Sequence, residues 1–311
     1  MAFAHAYMPG LSYDIYLPAG KINASGKALM LVHGMVPEGS KSPLLKLVAE
    51  NIAAIAHIPV MVPDNKGLMA SQIGYDEAGE MRLAISEMGK IFPNQRKGIM
   101  SFCYANGVVL SALGSERKCP VDFLVLWGSY ASFTDATMYS LTGFYRLKDS
   151  LLFAETDKDI RDRYFRLRYW YLPFTPHRRE VVEAAVINND AHGLRGDELP
   201  VFEFLRNTNY KHFDPLFKRL PAGCILWQNQ MSATQNLSTL NIPVIFVHSR
   251  RDVIVPYYET VKLYDSYHGP KQIFLLDLLE HVNPLKFSNS FMESLRGIIQ
   301  YYRFLANLLA A

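Results

Sequence analysis

The chain has 311 residues, of which 50% are hydrophobic and 20% are charged, and its formal net charge at pH 7 is +3. This composition excludes a disordered or collagen-like chain and suffices for a large buried core with room for a second, smaller lobe. A nearly neutral chain without long runs of Lys or Arg gives no electrostatic reason to expect a nucleic-acid partner.

Strand-like and helix-like segments alternate in the first 134 residues. Short apolar runs predict strands at residues 13–17, 28–32, 59–62, 98–102 and 123–127. Apolar residues at helical spacing predict helices at residues 43–56, 77–91 and 106–113. The first strand alternates apolar and polar residues, which is typical of an antiparallel edge. The rest predicts an α/β protein with a mostly parallel sheet and helices on both faces.

The pattern changes after residue 134. Residues 135–236 are rich in Tyr, Phe, Leu and Trp, favour helices and contain no clear strand pattern. Strand patterns return at residues 243–247 and 272–276, and a last helix is predicted at residues 287–309. The simplest interpretation is one sheet domain, residues 1–134 and 237–311, interrupted by a helical cap at residues 135–236.

The sequence SFCYANG joins the strand at residues 98–102 to the helix that follows. Its spacing fits a nucleophile elbow, in which Cys103 lies on a strained turn and small residues flank it at Ser101 and Ala105. The turn would expose Cys103 at a helix N-terminus, where the dipole favours a thiolate, and would direct the Tyr104 backbone N–H at an oxyanion. For this motif alone, a buried structural cysteine is the alternative.

Two further residues follow late strands in the order that a triad of this kind requires. Asp252 lies in RDVIVP, after the strand at residues 243–247, and His281 follows the strand at residues 272–276. A turn aspartate and a surface histidine are the alternatives, but order and position favour an acid and a base. We therefore predict a Cys103–His281–Asp252 triad.

A dipeptide, His33-Gly34, closes the strand at residues 28–32. Together with PDNKGL, the elbow, RDVIVP and the EH dipeptide, it resembles the α/β-hydrolase superfamily over roughly residues 12–130 and 240–309. The resemblance implies an α/β-hydrolase fold with an oxyanion loop at His33 and Gly34. It also implies an oxyanion hole formed by the backbone N–H groups of Met35 and Tyr104.

Two families in this superfamily use a cysteine nucleophile and resemble the chain more specifically. The elbow and the acid loop are similar to those of dienelactone hydrolases and polyhydroxyalkanoate synthases, although the former lack a large cap and the latter are longer. The runs LVHGMVPEGSK and WGSYASF also resemble a bacterial branch of the superfamily, which implies no particular substrate. Glu280 departs from the pattern, because glycine usually precedes the histidine in this superfamily.

The leading hypothesis is a hydrolase of carboxylic esters or thioesters that works through an acyl-cysteine intermediate. Acyl transfer similar to that of polyhydroxyalkanoate synthases is one alternative. A catalytically inactive protein that binds a small ligand or a partner is another, since Cys103 and Glu280 both depart from the common pattern. The aromatic cap favours a hydrophobic acyl substrate. No dinucleotide fingerprint, phosphate loop or metal-ligand spacing is present in the sequence, so no cofactor is expected.

The remaining features concern compartment and partners. Three widely spaced cysteines indicate neither a disulfide framework nor a zinc site, and no signal peptide or membrane span is evident, so a cytoplasmic location is expected. The densest basic stretch, residues 161–168, interleaves arginine with aromatic residues. It could contact nucleic acid or a membrane surface, but we favour a helix whose arginine stems cover an apolar face. The oligomeric state is left open.

Overall fold

The computed structural model describes residues 2–8 (backbone only), 10–20, 26–70, 77–116, 119–147, 150–154, 174–277 and 303. Several predictions lie outside these ranges: the basic stretch at residues 161–168, His281 with its neighbour Glu280, and the last helix except for residue 303.

Ten strands occur in the described residues. They are β1 (Ala2–Met8), β2 (Leu11–Leu17), β3 (Lys27–Val32), β4 (Val60–Pro63), β5 (Arg96–Phe102), β6 (Phe123–Trp127), β7 (Phe144–Leu147), β8 (Ser150–Phe153), β9 (Val244–Ser249) and β10 (Lys271–Leu276). Eight of them form one sheet in the order β1-β2-β4-β3-β5-β6-β9-β10, and β7 pairs with β8 in a separate hairpin. In the large sheet β2 is antiparallel to both β1 and β4, and the other pairs are parallel.

Eleven α-helices occur in the same ranges, with a short 3-10 helix at Gly39–Lys41. They are α1 (Pro43–Ala56), α2 (Lys66–Ala70), α3 (Glu77–Ile91), α4 (Ala105–Gly114), α5 (Phe133–Thr142), α6 (Pro176–Asn188), α7 (Glu198–Arg206), α8 (Tyr210–Phe217), α9 (Ala222–Met231), α10 (Ala233–Ser238) and α11 (Tyr257–Ser266). The predicted bounds of α1, α3 and β6 match the structure, because each combines a clear apolar period with a clear terminal signal.

The sheet separates two apolar clusters because successive side chains of a strand point to opposite faces. Leu29 and Leu31 of β3 pack with α1 on one face, whereas Met30 and Val32 pack with α3, α4 and α11 on the other. Both faces of the central strands are therefore buried, which explains why these strands are continuous apolar runs. The predicted α/β architecture with helices on both faces is confirmed.

Two predictions about strands need correction. The strand predicted at the sheet edge is antiparallel as expected but lies inside the sheet, because β1 pairs with it from Ala2↔Leu17 to Met8↔Leu11. The segment at residues 135–236 is not free of strands either. It contains the β7–β8 hairpin, whose strands are only four residues long and thus too short for a clear alternating pattern.

The segment between β6 and β9, called the insertion here, packs onto the face of the sheet that α3 and α4 cover. Buried side chains of its helices, among them Phe133, Phe204 and Trp227, belong to the same apolar cluster as α4. No helix among the described residues is long and apolar enough to cross a membrane.

Candidate active site

The predicted site residues follow strands that end at one edge of the sheet. The parallel registers that set this edge are Val32↔Ser101, Phe102↔Trp127, Trp127↔Val247 and Leu276↔Ser249. Because β3, β5, β6, β9 and β10 end in line, the loops after them share the carboxyl edge, where ligands bind in open α/β sheets. His33, Cys103 and Asp252 all belong to these loops or strand ends.

Cys103 adopts a left-handed backbone conformation with φ 54°. Only two other non-glycine residues in the described chain have positive φ, and both, His57 and Asn189, are the C-caps of α1 and α6, where this conformation is common. Cys103 instead lies between a strand and the start of a helix, where such strain costs roughly 1–3 kcal/mol and is often functional. Its side chain is partly exposed.

The side chain of Asn106 holds the strained turn in place. Its Nδ2 donates to the carbonyl oxygens of Cys103 at 2.8 Å and of Trp127 at 2.9 Å, and its Oδ1 accepts from Ser101 Oγ at 2.6 Å. The Cys103 backbone N–H also donates to the Trp127 carbonyl oxygen at 2.8 Å. Sequence reasoning placed Asn106 only at the start of a helix. Its polarity inside an otherwise apolar helix was the available signal of a further role.

Gly34 lies directly against the turn. A Cβ atom at this position would be 3.4 Å from the Phe102 carbonyl oxygen and 3.7 Å from the Cys103 Cβ. Met35 follows it and is partly buried, and Tyr104 precedes α4 with its side chain buried. The predicted oxyanion loop and the strained turn are thus neighbours, as the predicted oxyanion hole requires.

The His33 side chain links this loop to Asn65 through two hydrogen bonds. The Asn65 backbone N–H lies 3.2 Å from His33 Nε2, so Nε2 accepts, and Nδ1 then donates to the Gly34 carbonyl oxygen at 2.7 Å. Burial lowers the pKa of His33, although its bond to Gly34 and the charge of Asp64 oppose the shift. A buried neutral ring with both nitrogens engaged is a structural support rather than a base.

The far end of the loop is tied to Asp64. Its carboxylate accepts from the Ser40 backbone N–H and from Ser12 Oγ, each at 2.7 Å. Gly39 has φ +53°, and a Cβ there would lie 2.5 Å from Asp64 Oδ1, so the loop can close over this carboxylate only with glycine. The PDN part of PDNKGL therefore shapes the predicted oxyanion loop.

Asp252 is buried and well bonded. Oδ1 accepts from the backbone N–H groups of Ile254 at 2.8 Å and Val255 at 2.9 Å, and Oδ2 lies 3.0 Å from His248 Nε2. The side chains of His248 and Asp252 are both 0% exposed. Sequence reasoning missed His248 because it appears as one polar residue in an apolar strand. The predicted triad partner of Asp252 is His281, which lies outside the described residues.

Aromatic side chains of the insertion pack against Tyr104, the residue after the predicted nucleophile. The Tyr104 ring lies 5.7 Å from that of Phe133 and 6.2 Å from that of Trp227, centroid to centroid. Tyr130 donates from its hydroxyl to the Tyr104 carbonyl oxygen at 3.2 Å, and burial raises its pKa well above the usual value. The start of α4 is therefore fixed from the insertion side.

The cysteines differ in their surroundings, and none forms a disulfide. Cys224 is buried in α9, and burial raises its pKa to about 12. Burial also raises the pKa of Cys119. Neither of these two thiols has the features of a nucleophile. Among the described residues, no three His, Cys, Asp or Glu side chains lie close enough together to hold a metal ion.

No family model and no curated protein matches the sequence. Solved structures do match nearly all of it. The esterase domain of a Rhodothermus marinus protein has a TM-score of 0.51 at 14% identity, with 97% of this chain and 98% of that chain covered. A meta-cleavage product hydrolase from Pseudomonas fluorescens IP01 has a TM-score of 0.52 at 14% identity, with 99% and 96% covered.

An acylaminoacyl peptidase from Pyrococcus horikoshii has a TM-score of 0.54 at 11% identity. The match covers 96% of this chain but only 39% of the peptidase, so the chain is much shorter than that enzyme. These likenesses, together with the sheet order and the strained turn after β5, establish that the chain has the α/β-hydrolase fold.

Proposed function

We propose that the protein hydrolyses carboxylic esters or thioesters through an acyl-cysteine intermediate, with Cys103 as nucleophile, His281 as base and Asp252 as acid. One observation carries the proposal. Cys103 is held in a left-handed turn against Gly34, at the same sheet edge as Asp252. A protein gains nothing in stability from such strain, so a chemical role is the natural reason to keep it.

His281 has a suitable place in the chain for this role. It follows β10 by five residues, and β10 lies parallel to β9, whose end leads into the Asp252 loop. In the proposed mechanism His281 takes the Cys103 thiol proton, and Asp252 orients and stabilises the imidazolium.

The thiolate then adds to the acyl carbonyl carbon. The carbon–oxygen or carbon–sulfur bond to the leaving group breaks, and the alcohol or thiol leaves with the proton from His281. Water, losing a proton to His281, attacks the acyl-cysteine, and the acid product departs while the proton returns to Cys103. The backbone N–H groups of Met35 and Tyr104 stabilise the oxyanion in both steps.

The insertion acts as a cap in this proposal. Its residues Phe133 and Trp227 pack around Tyr104, next to the proposed nucleophile, and so hold the insertion close to the site. The abundance of aromatic residues in the insertion supports a hydrophobic acyl group. The matched structures include an esterase domain and a meta-cleavage product hydrolase, and these names support a hydrolytic function on this fold.

The test is turnover of p-nitrophenyl esters and acyl thioesters of increasing chain length, with intact-mass analysis for an acyl adduct. We expect Cys103→Ala to lower kcat by roughly 10³-fold or more and to abolish the adduct. Cys119→Ala is the matched control, because Cys119 is also partly exposed, and it should retain activity.

Two results would contradict the proposal. One is activity that survives in folded Cys103→Ala, and the other is an adduct on Cys119 instead of Cys103. Folded wild-type protein without turnover or adduct on the whole panel would favour the inactive, ligand-binding alternative.

A further inference from the structure

A second histidine contacts the proposed catalytic acid. His248 lies near the end of β9, and its Nε2 is 3.0 Å from Asp252 Oδ2 and 3.0 Å from the Val255 carbonyl oxygen. A carbonyl oxygen can only accept, so Nε2 carries a proton and donates to this pair of oxygens. His248 thereby joins the Asp252 side chain to the backbone of Val255, which lies further along the same loop.

The other side of the ring is fixed as well. Nδ1 lies 2.6 Å from Thr260 Oγ1, which also lies 2.8 Å from the Ser129 carbonyl oxygen. Ser129 Oγ is a further 2.8 Å partner of the same hydroxyl. The ring is thus anchored to α11 and to the loop after β6, which are elements separate from the acid loop.

Two acidic side chains lie near the ring. Asp252 contacts it directly. Glu259, the neighbour of Thr260, accepts instead from the backbone N–H groups of Ala131 and Ser132 and pairs with Lys262. Bonds to an anionic carboxylate are about twice as strong as neutral ones, and buried partners are not weakened by water.

We propose that His248 is a positioning residue for the catalytic acid. It holds Asp252 Oδ2 in the orientation that serves His281, while the backbone of Ile254 and Val255 holds Oδ1. A carboxylate has about four acceptor sites, so these three donors are compatible with a further donor from the base. The inference rests on the proposed function, since it assigns Asp252 the role of the acid.

The first test compares His248→Leu with His248→Gln. Leucine removes the donor, whereas the glutamine amide can still donate to Asp252 from nearly the same place. We expect His248→Leu to lower kcat by roughly 10- to 100-fold with KM little changed. This is the loss usually seen when a hydrogen bond that orients a metal-binding side chain is removed, and we expect a similar loss for an oriented carboxylate. His248→Gln should restore most of the loss. Equal losses in both variants, or a loss confined to KM, would overturn the positioning role.

A double-mutant cycle tests whether His248 acts through Asp252. In an Asp252→Asn background, His248→Leu should lower kcat no further, because the group that it positions is already disabled. Losses that multiply would overturn the proposal. Thermal unfolding of every variant separates these outcomes from misfolding, and His248→Gln provides the comparison if the leucine variant does not fold.

The rate of Cys103 alkylation by iodoacetamide gives a readout that needs no substrate. We expect both Asp252→Asn and His248→Leu to slow it. A rate that responds to Asp252→Asn but not to His248→Leu would overturn the positioning role alone. A rate that responds to neither would overturn the proposed triad as well.

Discussion

His33 and His248 lie at the carboxyl ends of two parallel strands, both fully buried, yet their partners differ. The His33 ring forms hydrogen bonds to backbone groups, the Gly34 carbonyl and the Asn65 N–H, next to the predicted oxyanion loop. His248 contacts the Asp252 carboxylate and supports the acid loop. We call these regions the oxyanion corner and the acid corner.

The two corners show that buried histidines can have two different roles in one fold. In the oxyanion corner a neutral ring accepts from the Asn65 N–H, which would otherwise be costly to bury, and donates to the Gly34 carbonyl oxygen, which also accepts from the Val36 N–H. In the acid corner the ring donates to the Asp252 carboxylate, whose orientation matters in the proposed mechanism. The first corner should therefore respond to substitution mainly in stability, and the second mainly in kcat.

The largest expected effect is that of Asp252→Asn. We expect kcat to fall by roughly 10³- to 10⁴-fold, the scale of this change in other triads, because the amide cannot stabilise the imidazolium. Asp64→Asn is the matched control in the oxyanion corner, since Asp64 accepts only from Ser12 and Ser40 among the contacts described above. It should change kcat by less than about tenfold, which corresponds to about 1.4 kcal/mol in the activation free energy. Similar losses in the two variants would remove the distinction between the corners.

The second-largest expected effect is a lower free energy of unfolding in a His33 variant. His33→Leu leaves the buried Asn65 N–H without its acceptor, at about 1–3 kcal/mol, whereas the Gly34 carbonyl oxygen keeps the Val36 N–H as a donor. We expect the free energy of unfolding to fall by about 1–3 kcal/mol in urea denaturation. The exposed His268→Leu should stay within about 0.5 kcal/mol of wild type. A His33→Leu variant as stable as that control would show that the loop does not depend on the ring.

The pH dependence of stability follows from the same ring. Burial lowers the pKa of folded His33 below the 6.5 of the unfolded chain, so the unfolded state binds more protons as the pH falls. The stability associated with the neutral ring is thus complete above about pH 6.5 and is lost as the pH falls from there through the lowered pKa. His33→Gln, which does not titrate, should lose less stability than wild type between neutral and mildly acidic pH. Parallel unfolding profiles for the two proteins would contradict this assignment.

Much of the sheet and its helices could be predicted because the signals are local. The bounds of α1, α3 and β6 follow from apolar period and turn residues alone. The missed β1 also had a local signal, the Pro9-Gly10 dipeptide between two alternating runs, and Gly10 has φ 87° as a tight turn requires. The α/β-hydrolase fold was predictable for a different reason, namely the order of several short motifs at strand ends.

The site was less predictable because its supports come from distant parts of the chain. The spacing of SFCYANG identifies Cys103, but not the bonds from Asn106 that hold its turn together. His248 acquires its role from Thr260 and Asp252, which a strand pattern does not connect with it. The triad itself stays a prediction, since His281 lies outside the described residues.

The smallest expected effect tests whether backbone strain at Cys103 or packing of its side chain determines the stability of the turn. Cys103 has φ 54°, whereas no non-glycine residue of the acid corner has positive φ. Cys103→Gly should raise the free energy of unfolding by about 0.5–1 kcal/mol, because relief of the left-handed strain exceeds the entropy cost of glycine, while turnover is lost. His57→Gly and Asn189→Gly, at the two helix C-caps, should stabilise by a similar amount and leave kcat unchanged. A Cys103→Gly protein less stable than wild type would mean that the cysteine side chain itself stabilises the turn, and the strain would no longer argue for catalysis.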